Sequence, residues 1–157
     1  MICQTEILSC PWQEESCLLL WSSPKYNILS GLAPGPNANL DLDEEWAPSF
    51  TGTMYYRLIG MERQSRVAVW TLRVRMIAIN LEDPACGSGA CSLGAHLALS
   101  HAHGSRIHRF KLDQGVEMGR YSRIVVEICL DEERRRLLEV KLAGHAVVVA
   151  EGILNLD

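Results

Sequence analysis

The sequence predicts an α+β domain: one central helix packed on a strongly curved sheet. Three observations carry that expectation. Long stretches alternate apolar and polar residues with period two. One segment past the middle is built of Ala, Leu and Gly instead, and Gly, Pro, Asn and Asp punctuate the joins. A chain of 157 residues is one domain long and can bury a sizeable core.

Taken in order, Cys17 to Trp21 reads as a buried strand that stops at Ser22-Ser23-Pro24. Gly31 to Asp43 is the strongest loop, stacking Gly, Pro, Asn and Asp. Thr53 to Ile59 is a second strand. Arg66 to Ile79 then alternates almost throughout. Val67, Val69, Thr71, Arg73 and Arg75 fall on one face, and Ala68, Trp70, Leu72, Val74 and Met76 on the other. From Gly89 to His101 the pattern becomes helical, with Leu93 and Leu97 four apart. Only Ser92, His96 and Ser100 are polar before its end, so this helix is expected to be covered on several sides. Four short strands follow: Ile107 to Leu112, Tyr121 to Leu130, Leu137 to Leu142 and Ala146 to Leu154.

Composition narrows the partners. Fifteen basic residues against nineteen acidic ones give a net charge of −4, so nucleic acid is not an expected partner. No apolar run approaches the roughly 18 residues of a membrane span, and MICQTEILSC lacks the basic start of a signal peptide. No membrane partner is expected, and the expected location is the cytoplasm. The six cysteines contain no CxxC pair and read as free thiols of a reducing compartment. Cys3, Cys10 and Cys17 recur every seven residues but have no nearby His. His96, His101, His103 and His108 crowd the helix end without ligand spacing. Neither a metal nor a cofactor is expected.

The chemistry concentrates in Leu81 to Ala95, LEDPACGSGACSLGA. A long strand delivers the acidic pair Glu82 and Asp83 to a Pro-marked turn, and Cys86, Gly87, Ser88 and Gly89 open the helix. Backbone N–H groups at a helix N-terminus form an anion site, and glycines let a ligand come close. The Ser88 hydroxyl adds a donor for a carboxylate. Cys86, a thiol at the positive end of a helix, is a candidate acid or base. A strand-to-helix connection whose glycines only permit tight packing fits the same spacing. Gln114-Gly115 with Gly119-Arg120 reads as a turn near this cleft, where Arg120 either reaches an anion or is simply solvated.

EDPACGSGACSLGAHL, followed by FKLDQGVEMGRYSRIVVEI and VKLAGHAVVVAEGIL, resembles the C-terminal lobe of the PhzF-like phenazine-biosynthesis family. FTGTMYYRL and RVRMIAINLEDP resemble the segments that precede that motif, and ACGSGAC is similar to an active-site segment of diaminopimelate epimerase. The resemblance covers residues 17–157 and leaves 1–16 as an N-terminal extension. It implies one lobe of the diaminopimelate epimerase-like fold, a curved mixed β-sheet rolled around one central helix. The implied chemistry is cofactor-independent proton transfer on a small carboxylate-bearing metabolite: isomerisation of trans-2,3-dihydro-3-hydroxyanthranilate in phenazine makers, and epimerisation at Cα in the epimerases. By the same resemblance Asp83 assists proton movement, Ser88 with Gly87 and Gly89 holds the carboxylate, and Cys86 stands where PhzF-like proteins often carry Thr and the epimerases a proton-transferring Cys.

The departure lies at the other end. Family members carry a first lobe with a proton-shuttling Glu and a Gly-His motif, which residues 1–16 do not encode. Glu14 and Glu15 do not replace that Glu, and Gly144-His145 continues into an expected strand. The expectation is therefore half of an active site, of an isomerase type from secondary metabolism. It is either a truncated gene product or a chain completed through homo-oligomerisation. The rival expectation is a catalytically silent lobe kept as a binding or oligomerisation module.

Overall fold

The alternating stretches fold as strands of one sheet. The computed structural model describes residues 5–9, 16–22, 50–78, 81–101 and 104–153. Among them are β1 (Thr5–Ser9), β2 (Ser16–Ser22), β3 (Phe50–Gln64), β4 (Val67–Ala78) and β5 (Leu81–Asp83). The helix α1 (Gly87–Ser100) follows, then β6 (Ile107–Gln114), β7 (Ser122–Leu130) and β8 (Leu137–Gly144). The sheet runs β1-β2-β3-β4-β6-β7-β8, with β2–β3 and β4–β6 parallel and the other pairs antiparallel. A parallel pair needs a crossover, and α1 lies within the one from β4 to β6. The loop expected over Gly31–Asp43 lies outside the described residues.

One face of the sheet is the core. Trp70, Phe110 and Val126 sit in register across β4, β6 and β7, and Leu72, Leu112 and Ile124 form the next row. All six are buried, and α1 lays Ala90, Leu93, Leu97 and Ala98 among them. Gly94 lets the helix come close: a Cβ there would sit 3.2 Å from both Phe110 and Val126. Every helix residue from Gly89 to Ala98 is at least partly covered, and α1 touches β2, β6, β7 and β8. No described helix is long and apolar enough to cross a membrane.

The opposite face of β6 and β7 carries charges on directly opposed residues, the usual polar-out half of the pattern. Arg109 meets Glu127 at 2.6 Å, and Arg123 meets Asp113 at 2.8 Å. Partial burial alone would raise the Asp113 carboxyl, but Arg123 and the Tyr121 hydroxyl together hold it below the ordinary carboxylate range.

Among the differences from expectation, three stand out. β3 continues to Gln64 through a register shift between Leu58 and Gly60, forming a long hairpin with β4 closed by Ser65-Arg66. α1 starts at Gly87, two residues early, because Cys86 caps it. The strand expected from Ala146 to Leu154 is absent over the described residues 146–153, where Val147, Val148 and Val149 are 83%, 79% and 92% exposed. Valine favours a strand only with a neighbour to pair and a face to cover. Beyond the edge strand β8 this segment has neither among the described residues.

Candidate active site at the N-terminus of α1

The site is built outward from the β4–β5 hairpin. Arg75 grips Glu82 with two hydrogen bonds, Nε to Oε1 at 2.8 Å and Nη2 to Oε2 at 2.7 Å. Both side chains are almost fully buried. The bond to Glu82 drives the Arg75 guanidinium further above its ordinary value, against the effect of burial. Glu82 is thereby committed to scaffolding. Its neighbour Asp83 takes the other side of the strand, as alternation requires.

β5 pairs with β4 beyond the point where β6 ends, on the same edge, so Asp83 and Gln114 arrive side by side. Gln114 is completely buried and clamps the turn from both sides. Its Nε2 donates to the Asp83 carbonyl at 2.6 Å, and its Oε1 accepts from the Cys86 N–H at 3.3 Å. Gly115 follows at φ +72°, and a Cβ there would come within 2.9 Å of the Pro84 carbonyl. The expected turn beside the cleft is therefore packed against it, with the Arg120 N–H bonded to the Gly115 carbonyl at 2.8 Å.

Within the turn, the Asp83 carboxylate accepts the Ala85 N–H at 2.9 Å. Cys86 is the N-cap in extended conformation, and its Sγ accepts the Gly89 N–H at 3.3 Å. The exposed Ser88 hydroxyl lies 3.6 Å from that sulfur. The N–H groups of Gly87 and Ser88 have no acceptor among the described residues. Asp83, Cys86, Gly87, Ser88 and Gly89 thus all come together on one turn. Packing explains two of the glycines as well: a Cβ at Gly87 would meet Leu142 at 2.9 Å, and one at Gly89 would meet Met54 at 2.7 Å.

Sequence reasoning missed Arg75 and Gln114 as the residues that hold the turn. Gln114 had a signal. It follows Phe110 and Leu112 at the inward positions of β6, where a polar side chain must find buried partners. At the far end of α1 another buried polar group is satisfied in the same way. Trp70 Nε1 donates to His108 Nδ1 at 3.2 Å, and His108 Nε2 donates to the Ser105 carbonyl at 3.1 Å. That arrangement requires the neutral ring. Burial pushes the His108 pKa below the ordinary 6.5, against the opposing pull of the Ser105 bond. Glu14, Glu15 and His103 lie outside the described residues.

A sequence profile of the family described as phenazine biosynthesis-like protein, PhzC-PhzF, matches residues 57–152. The chain belongs to this family. A protein described as an uncharacterized isomerase of Mesorhizobium japonicum is 38% identical over 84 residues, 52% of this chain and 27% of the relative. An uncharacterized isomerase of Clostridium acetobutylicum is 40% identical over 83 residues, 52% of this chain and 26% of the relative. The solved phenazine biosynthesis protein of the PhzF family from Bacillus anthracis superposes with a TM-score of 0.57 at 14% identity, covering 84% of this chain and 46% of its own. The fold is thus that of one lobe, and the chain spans about a quarter of the length of the curated relatives it matches. The matched segment holds the whole Asp83–Gly89 turn together with Arg75 and Gln114.

Proposed function

We propose that this chain is an isomerase-type lobe that takes the carboxylate of a small metabolite at the N-terminus of α1 and serves cofactor-independent proton transfer at carbon. The observation that carries this reading is the composition of one turn. A carboxylate, a thiol, a hydroxyl and two unengaged N–H groups share the positive end of a helix. The Gly87 and Ser88 N–H groups with the Ser88 hydroxyl suit a substrate carboxylate. Asp83 and Cys86 are the acid–base groups. The relatives described as isomerases support the reaction class. The family resemblance supports secondary metabolism as the setting, and the reduced Cys86 and Cys129 thiols suit a reducing cytoplasm.

Proton transfer at carbon uses an acid and a base on opposite faces of the substrate, whereas Asp83 and Cys86 approach from one side. The opposing group comes from outside this lobe, and a second copy placed turn to turn supplies one. A second reading, the silent binding or oligomerisation module, is favoured by a specific observation: the Asp83 carboxylate and the Cys86 sulfur already hold backbone N–H groups.

Deuterium wash-in from D₂O separates the two. Trans-2,3-dihydro-3-hydroxyanthranilate and amino acids are offered to the wild type, Asp83→Asn and Cys86→Ala across a range of protein concentrations. The proposal expects negligible exchange from the monomer, with exchange rising on association and lost in both variants. Carboxylate binding at Gly87–Gly89 without exchange at any concentration establishes the silent module instead.

A further inference from the structure

A concavity lies at the opposite end of α1, about 20 Å along the helix axis by its 14 residues. Three connections meet there: the β3–β4 turn, the segment between α1 and β6, and the β7–β8 turn. They bring Arg63, Arg66, Arg106 and Arg134 around a cavity of about 410 Å³, with Ser105 and Cys129 in its wall. Among the described residues no carboxylate lines it. In a chain of net charge −4 this is a local concentration of positive charge against the overall balance.

Two of the nearby acids are engaged elsewhere. Asp131 accepts the backbone N–H groups of Arg135 and Arg136, and Glu62 accepts from Gln64 Nε2. Glu132 reaches Arg106 at 3.5 Å, but it is 90% exposed and neutralises little. Arg66 and Arg134 have no ion-pair partner among the described residues. Two of the four guanidinium groups are anchored by backbone: Arg63 donates to the Gly104 carbonyl, and Arg106 Nε to the Leu130 carbonyl at 3.4 Å. The exposed Arg66 and Arg134 side chains are open to a ligand.

Backbone conformation adds a separate observation. Ser65 (φ 56°) and Arg134 (φ 60°) are the only non-glycine residues in the left-handed region among the described residues, and they sit in two of the connections that wall this cavity. Such conformations are disfavoured for residues with side chains and gather at ligand clamps. From below, the Trp70–His108–Ser105 chain of hydrogen bonds fixes the segment that presents Arg106.

We propose that this cavity is an anion site for a small ligand bearing a diphosphate, separate from the turn at the helix N-terminus. The donor count selects the ligand class. Each guanidinium offers five N–H donors in a rigid fork, so four of them exceed what one carboxylate accepts and match the oxygens of two linked phosphates. The volume falls within the range of small-molecule pockets and exceeds what a single phosphate fills.

The test is an amide and arginine side-chain NMR titration of the chain with inorganic pyrophosphate, with orthophosphate, citrate and a short single-stranded DNA as further arms. Shifts are expected at Ser65, Arg66, Ser105, Arg106 and Arg134 and not at Gly87–Gly89, with pyrophosphate binding at least tenfold tighter than orthophosphate or citrate. Arg66→Gln with Arg134→Gln removes two exposed guanidinium groups that support no described contact, and should weaken pyrophosphate binding at least tenfold. Arg66→Lys with Arg134→Lys keeps the charge but loses the fork, and should weaken it about threefold, whereas Arg109→Gln outside the cavity should leave it unchanged. No shift around the cavity, equal loss in Arg109→Gln, or tighter binding of the DNA than of pyrophosphate overturns the proposal.

Discussion

The two ends of α1 solve opposite problems. At the N-terminal end most polar groups are engaged locally. Cys86 caps the helix, Asp83 holds the Ala85 N–H, and Gln114 clamps the turn it shares with β6. At the C-terminal end the histidine is consumed inside the core while arginines from three connections face one another with few partners. The first is a site within one continuous motif. The second exists only because distant segments converge. Stability should therefore be sensitive at the first end and at the histidine, and nearly indifferent to the arginines.

The largest effect tests the scaffold beneath the first end. Arg75→Ala leaves Glu82 buried without its counter-charge and should cost about 3–5 kcal/mol in urea unfolding. Removing both partners together should cost less than Arg75→Ala alone, which a double-mutant cycle reads directly. Gln114→Ala should cost about 2 kcal/mol by leaving the Cys86 N–H and the Asp83 carbonyl unpaired.

The pH dependence probes the other end. His108 is neutral in the fold and its pKa is lowered by burial, so the unfolded chain takes up a proton first as pH falls. Stability is full above the ordinary 6.5 and declines below it, by up to about 1.4 kcal/mol per pH unit, until the lower folded value is reached. Urea midpoints between pH 8 and 5 should show this slope, and His108→Phe should flatten it.

Smaller effects sharpen the contrast between structure and chemistry at Cys86. Cys86→Ala should cost about 1 kcal/mol as a lost cap, while Cys86→Ser should keep the cap and lose any exchange chemistry. Thermal unfolding together with the wash-in assay separates these roles. Ser88→Ala should weaken carboxylate binding by about 1 kcal/mol and leave stability unchanged. Arg66→Gln should shift stability by less than about 0.5 kcal/mol.

What the sequence made legible follows the same division. The period-two run of β4 put Trp70, Leu72, Val74 and Met76 on one face, the face that packs with α1, and the Ala and Gly content of α1 announced a helix that approaches its strands closely. The Asp83–Gly89 turn was readable because its residues are adjacent in the chain. Arg75 and Glu82 are seven residues apart and meet only through the hairpin register, and Gln114 reaches Asp83 only because β5 continues where β6 stops. The four arginines span residues 63 to 134, and no local pattern marks them as neighbours. The valines after Gly144 misled in the opposite direction, since their strand preference has no neighbour to satisfy it among the described residues.

Those valines also govern how the protein behaves when concentrated. HAVVVAE presents three consecutive β-formers, with no charge until Glu151, at the open margin of a sheet, where unpaired N–H and C=O groups invite a strand from another molecule. Neither a proline nor a lysine guards the stretch. Turbidity on refolding should rise steeply with protein concentration. A single gatekeeper, Val148→Lys, should suppress it while leaving the core rows of β4, β6 and β7 undisturbed.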